Sequence, residues 1–475
     1  MRLWHAVWPC VLCASASPSC ADFHLDAYGI REHLLYASPT TNRSIPHRES
    51  ASNAAHFPTA FKCAQSARCY PSNVRVRGLR VRVDRGVNEF AIDSLFPSDI
   101  FVVTLRGPEL SSAVIVAHMN NSYTARYCLD TPGFYKMHIV VQSINNEVGF
   151  SRPLFGSPYA ILVRGPRVPI SLPTGPACAT GRDATFGRWL RQDVIADSRA
   201  WEGALEATRD DHLWVPHNCS ITPLSSAEVA ALWRRGKVCV LGESYLRTLL
   251  AGYLYGAGVF DRAELDRVEY THESWEARDL SLSFDFHGGR IVPAQLARFV
   301  NCSGGATLAL ASWLEPADTR VAAAMRAAAE RARTSLFVTG SPWSGDLLET
   351  KRSNLWLGAA YRMTVRCLVA SGIDVFDAFE LAWPRLDEAC DGSHYMCMSE
   401  FTHNSVGYWE GLVLSNLLHV RARNDHDRGE GAAAAVPVSH AFCAGADALQ
   451  TRDHVHSPEA QLDKPHPPPV KVAWP

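Results

Sequence analysis

The segment Val238-Cys239-Val240-Leu241-Gly242-Glu243-Ser244-Tyr245-Leu246-Arg247 decides how the second half of this chain is interpreted. Its four leading apolar residues predict a buried strand, and the composition of residues 245–254 predicts a helix. Ser244 would then lie where a strand ends and a helix begins, which is where open α/β sheets bind ligands. Because the start of a helix offers N–H groups to an oxyanion, Ser244 is the candidate nucleophile.

A second polar motif, Asp391-Gly392-Ser393-His394, supplies the other groups that a serine nucleophile needs. His394 is the candidate base, and Asp391 is the candidate acid that orients its imidazole. Taken singly, Ser244 is more often a helix N-cap and His394 a structural histidine, but the combination favours catalysis. Another Asp-x-x-His, from Asp453 to His456, follows no strand-like segment and is interpreted as a chance match.

Residues 178–421 alternate between strand-like and helix-like segments, which predicts a parallel sheet covered by helices on both faces. The strand-like segments are residues 238–241, 280–286, 298–301, 336–339 and 373–376. The helix-like segments are residues 245–254, 318–333, 355–371 and 406–420.

Residues 71–168 have a different pattern, with short apolar runs separated by turn signals about every ten residues. This spacing is typical of an antiparallel β-sandwich. The motifs Pro132-Gly133-Phe134-Tyr135 and Gly156-Ser157-Pro158-Tyr159 resemble those of a filamin-type immunoglobulin-like repeat. Another kind of β-sandwich is the alternative, and it would change little about function. Residues 164–180 are rich in proline and are interpreted as a linker.

Three motifs in residues 178–421 resemble the PC-esterase branch of the SGNH, or GDSL-like, hydrolase superfamily. That branch includes trichome-birefringence-like and neurexophilin-and-PC-esterase proteins. The segment from Gly242 to Arg247 resembles the family's Gly-Asp-Ser-x-x-Arg, and the segment from Asp391 to His394 resembles its Asp-Gly-x-His. The third is Trp214-Val215-Pro216-His217-Asn218-Cys219, which resembles the lead-in Trp-x-Pro-x-x-Cys. A filamin-like module ahead of such a domain is similar to the neurexophilin-and-PC-esterase arrangement.

The resemblance implies a three-layer α/β domain that acts as a glycan O-acetyl esterase or O-acetyltransferase through an acyl-serine intermediate. It implies a glycan or glycoprotein substrate, an acyl donor if the reaction is a transfer, and neither a metal nor another cofactor. Glu243 departs from the family's Asp, so the alternative is a lapsed site that only binds carbohydrate or serves adhesion. A lipid or small-ester hydrolase with the same triad is a third interpretation.

The superfamily also implies oxyanion donors on a second and a third loop. Gly288 or Gly289 is the candidate after the strand-like segment 280–286, and Asn301 or Gly304 is the candidate after residues 298–300. Asn301 begins a glycosylation sequon, and a glycan there would be incompatible with a donor role. The remaining candidates are Gly242, beside the nucleophile, and Arg247, which could brace the site or make a surface salt bridge.

Length and composition bound the rest of the interpretation. A chain of 475 residues predicts two or three domains, and 47% hydrophobic residues indicate a folded protein. The net charge of −2 and the lack of a dense basic patch argue against nucleic acid as a partner. No segment after the N-terminal region is apolar for long enough to predict a membrane span.

Several features predict the secretory pathway, with the Golgi lumen, the cell surface or secretion as the location. Residues 1–21 resemble a signal peptide, with cleavage sites after Ala16 and Ala21, although a short signal anchor is the alternative. Fourteen cysteines suit disulfides, and the resemblance implies a Cys178–Cys219 pair. Cys390 and Cys397 flank His394 and could pair or bond elsewhere.

Residues 422–475 have the composition of a disordered tail. The candidate glycosylation sites are Asn42, Asn120, Asn218 and Asn301.

Overall fold

The computed structural model describes most of two folded regions. The described residues are 20, 74–94, 100–118, 121–144, 147–154, 156–202, 211–234, 237–269, 275–277, 280, 282–286, 293–302, 306–311, 319–329, 334–342, 365, 368–369, 372–389, 394–396 and 405–428. The predicted signal peptide, apart from Cys20, and most of the predicted helix 355–371 lie outside them.

The N-terminal region is a β-sandwich, as predicted. One sheet has the strand order β1-β3-β7-β6, and the other contains β2-β10-β8-β4-β5, with β9 paired to β8. The strands are β1 Arg75–Arg77, β2 Arg82–Val83, β3 Gly86–Asp93, β4 Ile100–Arg106, β5 Glu109–Ser112, β6 Val114–Ala117, β7 Ser122–Leu129, β8 Gly133–Ile144, β9 Glu147–Pro153 and β10 Tyr159–Val163.

Strand β8 shows why these residues form a sandwich. Tyr135, Met137 and Ile139 alternate along the strand with more exposed residues, and all three are buried in the core between the sheets. The Tyr135 hydroxyl donates to the carbonyl of Thr131 at 2.6 Å, which ties the strand to the turn before it. This bond resembles the tyrosine corner of immunoglobulin-like sandwiches.

A disulfide joins Cys20 to Cys128 on β7. Cys20 is therefore covalently bonded to the sandwich. Signal cleavage after Ala21 would remove this half of the disulfide, whereas cleavage after Ala16 would retain it. Of the two predicted cleavage sites, only the one after Ala16 is compatible with this bond.

The sheet of the sandwich continues into the second region. Strands β11, Gly187–Arg191, and β12, His212–Pro216, pair with each other, and β11 also pairs with β5 of the sandwich. The proline-rich segment between the regions is also bonded to the second region, because Ile170 N donates to the Val194 carbonyl at 2.7 Å. The two regions are thus joined by continuous backbone hydrogen bonds as well as by the chain.

The second region is built on a six-stranded sheet of order β14-β15-β13-β16-β17-β18. All neighbours are parallel except the edge strand β14. The five parallel strands, counted along the chain, have the order 2-1-3-4-5, whose switch point lies between β13 and β16. The strands are β13 Lys237–Gly242, β14 Trp275–Ala277, β15 Leu282–Phe286, β16 Ala306–Ala311, β17 Thr334–Val338 and β18 Asp374–Phe376.

Helices cover both faces of this sheet. Val238 and Val240 of β13 share an apolar cluster with α3 and α8, whereas the intervening Cys239 is buried outside that cluster. On the face away from α3 (Ser244–Gly256) and α8 (Ser405–Arg428), α5 (Pro293–Cys302) packs on β13 and α6 (Thr319–Ala329) packs on β16 and β17.

The α-helices are α1 Gly181–Thr185, α2 Ser226–Arg234, α3 Ser244–Gly256, α4 Arg262–Glu269, α5 Pro293–Cys302, α6 Thr319–Ala329, α7 Ala378–Ala382 and α8 Ser405–Arg428. The 3-10 helices are Gln192–Val194, Arg199–Trp201 and Trp383–Glu388.

The strand prediction for residues 298–301 is wrong. These residues lie in α5, where Leu296, Phe299 and Val300 have the spacing of one apolar helix face, and Pro293 suits the first helical turn. The third parallel strand is instead β16, an alanine-rich segment that the sequence interpretation missed. Its composition gives little β-propensity, so pairing with its neighbours determines its structure.

Two further outcomes concern the ends of this region. The disulfide between Cys178 and Cys219 is present, as the resemblance implied. Helix α8 continues to Arg428, so it extends beyond residue 422, the predicted start of the tail, and residues after 428 lie outside the described part of the chain. Within the described residues, none of the helices is both long enough and apolar enough to cross a bilayer.

Candidate active site

Ser244 is the first residue of α3 and follows directly on Glu243, whose extended backbone turns the chain out of β13. The first hydrogen bond within the helix runs from Arg247 N to the Glu243 carbonyl at 3.1 Å. The N–H of Ser244 therefore belongs to the first turn, whose donors the helix does not use. Ser244 is half-buried and lies between the end of a strand and the start of a helix, as predicted, and the strand β13 borders the switch point of the sheet.

The structure brings Ser244 and His394 together from distant parts of the chain. His394 Nε2 lies 3.0 Å from Ser244 Oγ, and the histidine, like the serine, is half-buried. This separation is within the range for proton transfer between a nucleophile and its base. The lapsed-site alternative would have gained support if these side chains had pointed apart.

Two hydrogen bonds of the next residue, Tyr395, fix the chain that follows His394. The Tyr395 hydroxyl donates to the Leu386 carbonyl at 3.1 Å, and Gly407 N of α8 donates to the Tyr395 carbonyl at 3.1 Å. Both Tyr395 and Met396 are buried. The residues that follow His394 are therefore anchored to the 3-10 helix Trp383–Glu388 on one side and to α8 on the other.

Glycines on two helices make room for this segment. A β-carbon at Gly252 of α3 would lie 2.1 Å from Met396 Cγ, and one at Gly407 of α8 would lie 2.6 Å from the Tyr395 carbonyl oxygen. Both distances are far below van der Waals contact, so a side chain at Gly252 would displace the Met396 side chain and one at Gly407 would displace the Tyr395 backbone. A glycine within a helical pattern, such as Gly252, is a sequence signal of close approach that the sequence interpretation did not use.

Three other residues near Ser244 in the sequence, Gly242, Glu243 and Arg247, are buried. Gly242 and Arg247 are both buried, and Arg247 is only 5% exposed, which contradicts the surface salt-bridge reading of this arginine. Glu243 is buried as well, and its side chain makes no capping hydrogen bond to α3. The predicted positions that lie outside the described residues are Asp391, Gly288, Gly289, Gly304, Cys390, Cys397, Asp453, His456, Asn42 and Asn120.

Asn301 is not positioned to be an oxyanion donor. It is exposed in the last turn of α5, and this helix leads into the start of β16. Ser244, in contrast, follows the end of β13, and the two strands are parallel. Asn301 therefore lies near the opposite edge of the sheet. Its exposure leaves it available as a glycosylation site, as is Asn218, which is also exposed.

A buried carboxyl group on α8 was not anticipated. Glu410 of α8 is fully buried, and Ser341 Oγ, beyond the end of β17, lies 3.1 Å from its Oε1. Burial raises the pKa of Glu410 to about 8, although the neighbouring side chains of Tyr245 and Ser341 oppose this shift. Glu410 is therefore largely protonated at neutral pH and can donate a hydrogen bond. Tyr245, one of these two neighbours of Glu410, follows Ser244 directly in α3.

Among the described residues, three side chains of types that can bind a metal ion lie close together on the sandwich: Cys20, Cys128 and Asp130. The two sulfur atoms are joined in the disulfide described above, so they are not available as thiolate ligands. This cluster is on the sandwich, and its chemistry is that of a structural crosslink.

Comparison with known proteins adds one structural likeness. No protein-family model matches the chain, and no curated protein matches it. Among solved structures, the crystal structure of the Lin-41 filamin domain is similar to a part of the chain, with 16% sequence identity and a TM-score of 0.17. The match covers 19% of this chain and 92% of that one. A likeness at this level carries no inference about what the chain does.

Proposed function

We propose that this protein is a serine-dependent O-acyl esterase or O-acyltransferase. The observation that carries the proposal is the 3.0 Å separation of Ser244 Oγ and His394 Nε2 at the start of a helix. Ser244 also follows a strand that borders the switch point of the parallel sheet, where α/β folds bind ligands. The class of reaction follows from this combination, because it joins a nucleophile, a base and oxyanion donors.

In the proposed reaction, Ser244 Oγ attacks the acyl carbonyl carbon while His394 Nε2 accepts the hydroxyl proton. The carbonyl oxygen becomes an oxyanion, which the N–H of Ser244 and the positive end of α3 stabilise. The bond from the acyl carbon to the leaving oxygen then breaks, and that oxygen takes the proton from His394. The product of this half-reaction is an acyl ester on Ser244.

The second half-reaction repeats these steps with a different nucleophile. His394 takes a proton from water or from a sugar hydroxyl, whose oxygen attacks the acyl carbon of the ester on Ser244. Departure of Ser244 Oγ, with the proton returned by His394, restores the enzyme. Water gives hydrolysis and a sugar hydroxyl gives transfer. In this scheme Asp391 orients His394, a role assigned from its place in the sequence motif.

The finer assignment combines this geometry with the sequence motifs. We propose that the second region is an SGNH-type domain of the PC-esterase branch, and that the sandwich is a filamin-type immunoglobulin-like module. The proposed substrate is an acylated glycan or glycoprotein in the secretory pathway, a location supported by the Cys20–Cys128 and Cys178–Cys219 disulfides. Neither metal nor another cofactor enters the scheme.

Turnover of an activated aryl acetate tests the proposal, followed by turnover of an acetylated glycan. Ser244→Ala should abolish turnover above the uncatalysed rate. Ser226→Ala is the matched control, since Ser226 is also the first residue of a helix but is exposed. If a folded wild-type protein neither hydrolyses acetyl esters nor transfers acetyl groups from donors to glycans, a carbohydrate-binding or adhesion role replaces this proposal.

A further inference from the structure

A contact between the two regions reaches the segment that carries His394. Arg106, the last residue of β4 in the sandwich, donates through Nη2 to Glu388 Oε1 at 3.3 Å. Glu388 ends the 3-10 helix Trp383–Glu388 of the second region. Both side chains are only partly exposed, at 32% and 23%, so solvent screens this pair less than it would a surface pair.

Glu388 is also held from within its own region. Arg385 Nε lies 2.9 Å from each carboxylate oxygen of Glu388, and Arg385 is almost completely buried. Its guanidinium lies 4.5 Å from the centre of the Trp189 ring, at a distance typical of a cation–π contact. The carboxylate of Glu388 therefore contacts both Arg106 of the sandwich and Arg385, whose guanidinium packs on Trp189 of β11.

The strand that carries Trp189 belongs to the sheet of the sandwich. Trp189 pairs with Leu110 of β5, and its indole N–H donates to the Leu381 carbonyl of α7 at 3.0 Å. Next to this pair, buried Glu109 of β5 accepts from Thr131 Oγ1 at 2.8 Å and from Arg188 Nη1 at 3.4 Å. These bonds fix the β4–β5 hairpin against the second region, and Arg106 projects from that hairpin.

The 3-10 helix is linked to the catalytic segment in two ways. Its last residue, Glu388, precedes Asp391 and His394 by a short stretch of chain. In addition, the Tyr395 hydroxyl, beside His394, donates to the Leu386 carbonyl within that helix. A displacement of the helix would therefore be passed to the imidazole that faces Ser244.

We propose that the sandwich is a structural part of the catalytic centre, with Arg106 and Glu388 acting as positioning residues for His394. The sandwich then has a role besides any recognition of partners, because the region that carries Ser244 and His394 relies on it for the geometry of its base. This inference rests on the proposed function for its kinetic consequence. Its structural consequence, a fixed His394 segment, can be measured without turnover.

The test compares Arg106→Ala, Arg106→Lys and Arg164→Ala in the full chain. Arg164 is the matched control, because its exposed ion pair with Asp84, at 2.8 Å, lies within the sandwich. Hydrogen–deuterium exchange of residues 383–396 reports how firmly the segment is held. Kinetics with an aryl acetate report kcat and KM separately, and thermal melting confirms that each variant is folded.

For Arg106→Ala we expect faster exchange in residues 383–396 and a loss of about tenfold in kcat with little change in KM, because a displaced base slows chemistry rather than binding. Arg106→Lys should keep most of the wild-type kcat, because the lysine ammonium can replace the Nη2 donor that contacts Glu388. A double-mutant cycle with Glu388→Gln should show that the effects are not additive.

Unchanged exchange and unchanged kcat in Arg106→Ala, relative to Arg164→Ala, would overturn the proposal. So would an equal loss in both variants, which would indicate a general effect of damage to the sandwich. If the wild type shows no turnover dependent on Ser244, the proposed function fails, and hydrogen exchange alone then decides whether the sandwich holds the His394 segment.

Discussion

Met396 occupies the space that a side chain at position 252 would need. A β-carbon at Gly252 would lie 2.1 Å from Met396 Cγ, and Met396 follows the candidate base His394 by two residues. The glycine in α3 therefore sets how closely the His394 segment can approach the helix that begins with Ser244. Ser244, the candidate nucleophile, and Gly252, which contacts the segment of the candidate base, thus lie on the same helix.

Gly252→Ala should impair both stability and turnover. The added methyl group must push Met396 away, and overpacking of this kind costs about 1–3 kcal/mol of unfolding free energy. Thermal melting and aryl acetate turnover measure the two effects. Gly256→Ala in the same helix is the control, because its nearest neighbour is the Tyr408 ring at 3.3 Å. Met396→Ala in the Gly252→Ala background should restore part of the loss, and absence of any difference between the two glycine variants would contradict this account.

Glu410→Gln should change how stability depends on pH. The folded-state pKa of Glu410 is about 8, above the ordinary value of 4.5 for the unfolded chain. Between these values the folded protein holds a proton that the unfolded chain has released, so the free energy of unfolding falls as pH rises. The slope from this group is at most about 1.4 kcal/mol per pH unit, and it ends above the folded pKa.

Chemical denaturation at several pH values from about 5 to 9 measures this contribution. Glu410→Gln keeps the shape of the neutral acid and lacks the ionisation, so its stability should decline less with pH than that of the wild type. Ser341→Ala removes one hydrogen bond to Glu410 and retains the carboxyl, so it should retain the pH dependence. Parallel pH profiles for the wild type and Glu410→Gln would show that Glu410 is ionised in the folded protein.

Removal of the Cys178–Cys219 disulfide should destabilise the second region. The bond closes a loop with a sequence separation of 41 residues, which corresponds to a stabilisation of about 3–4 kcal/mol in the chain-entropy description. The double variant Cys178→Ser, Cys219→Ser avoids free thiols and should unfold at lower denaturant concentration with parallel loss of turnover. The matched variant Cys20→Ser, Cys128→Ser removes the crosslink of the sandwich. Equal unfolding midpoints for the wild type and the Cys178/Cys219 variant would contradict the prediction.

Asn301→Gln should leave turnover within about twofold of the wild type, as expected for a surface substitution away from special features. Asn301 is exposed on α5, near the edge of the sheet opposite Ser244, so the loss of its amide removes no donor from the site. A glycan at this position would be seen as a mass loss in the variant expressed in a secretory host. A large drop in kcat would revive the oxyanion role that the sequence pattern suggested for Asn301.

Local signals in the sequence predicted the strand and the helix on either side of Glu243 well. The apolar run before Gly242 and the polar turn at Ser244 lie in adjacent positions, so strand β13 and helix α3 could be predicted from a short window. Short apolar runs were more ambiguous. Residues 298–300 taken alone fit a strand or a helix, and the helical spacing becomes visible only in a longer window that includes Pro293 and Leu296.

Non-local contacts could not be predicted in this way. No window contains both Arg106 and Glu388, which are 282 residues apart. The pairing of β11 with β5 was hidden for the same reason, since the proline-rich segment between them has the composition of a linker. Glu410 did leave a signal, because it is a lone acid in the otherwise apolar start of α8, and a buried charge of that kind indicates a special environment.

Trapping of the acyl-enzyme tests the central claim most directly. The protein is mixed with an activated aryl acetate, quenched in acid within the first turnovers, digested and analysed by mass spectrometry. The account predicts one acetyl group on Ser244, which is absent in Ser244→Ala, retained in Ser226→Ala and formed much more slowly in His394→Ala. An acetyl group on another residue would contradict the account. So would acetylation of Ser244 at the same rate in the wild type and in His394→Ala.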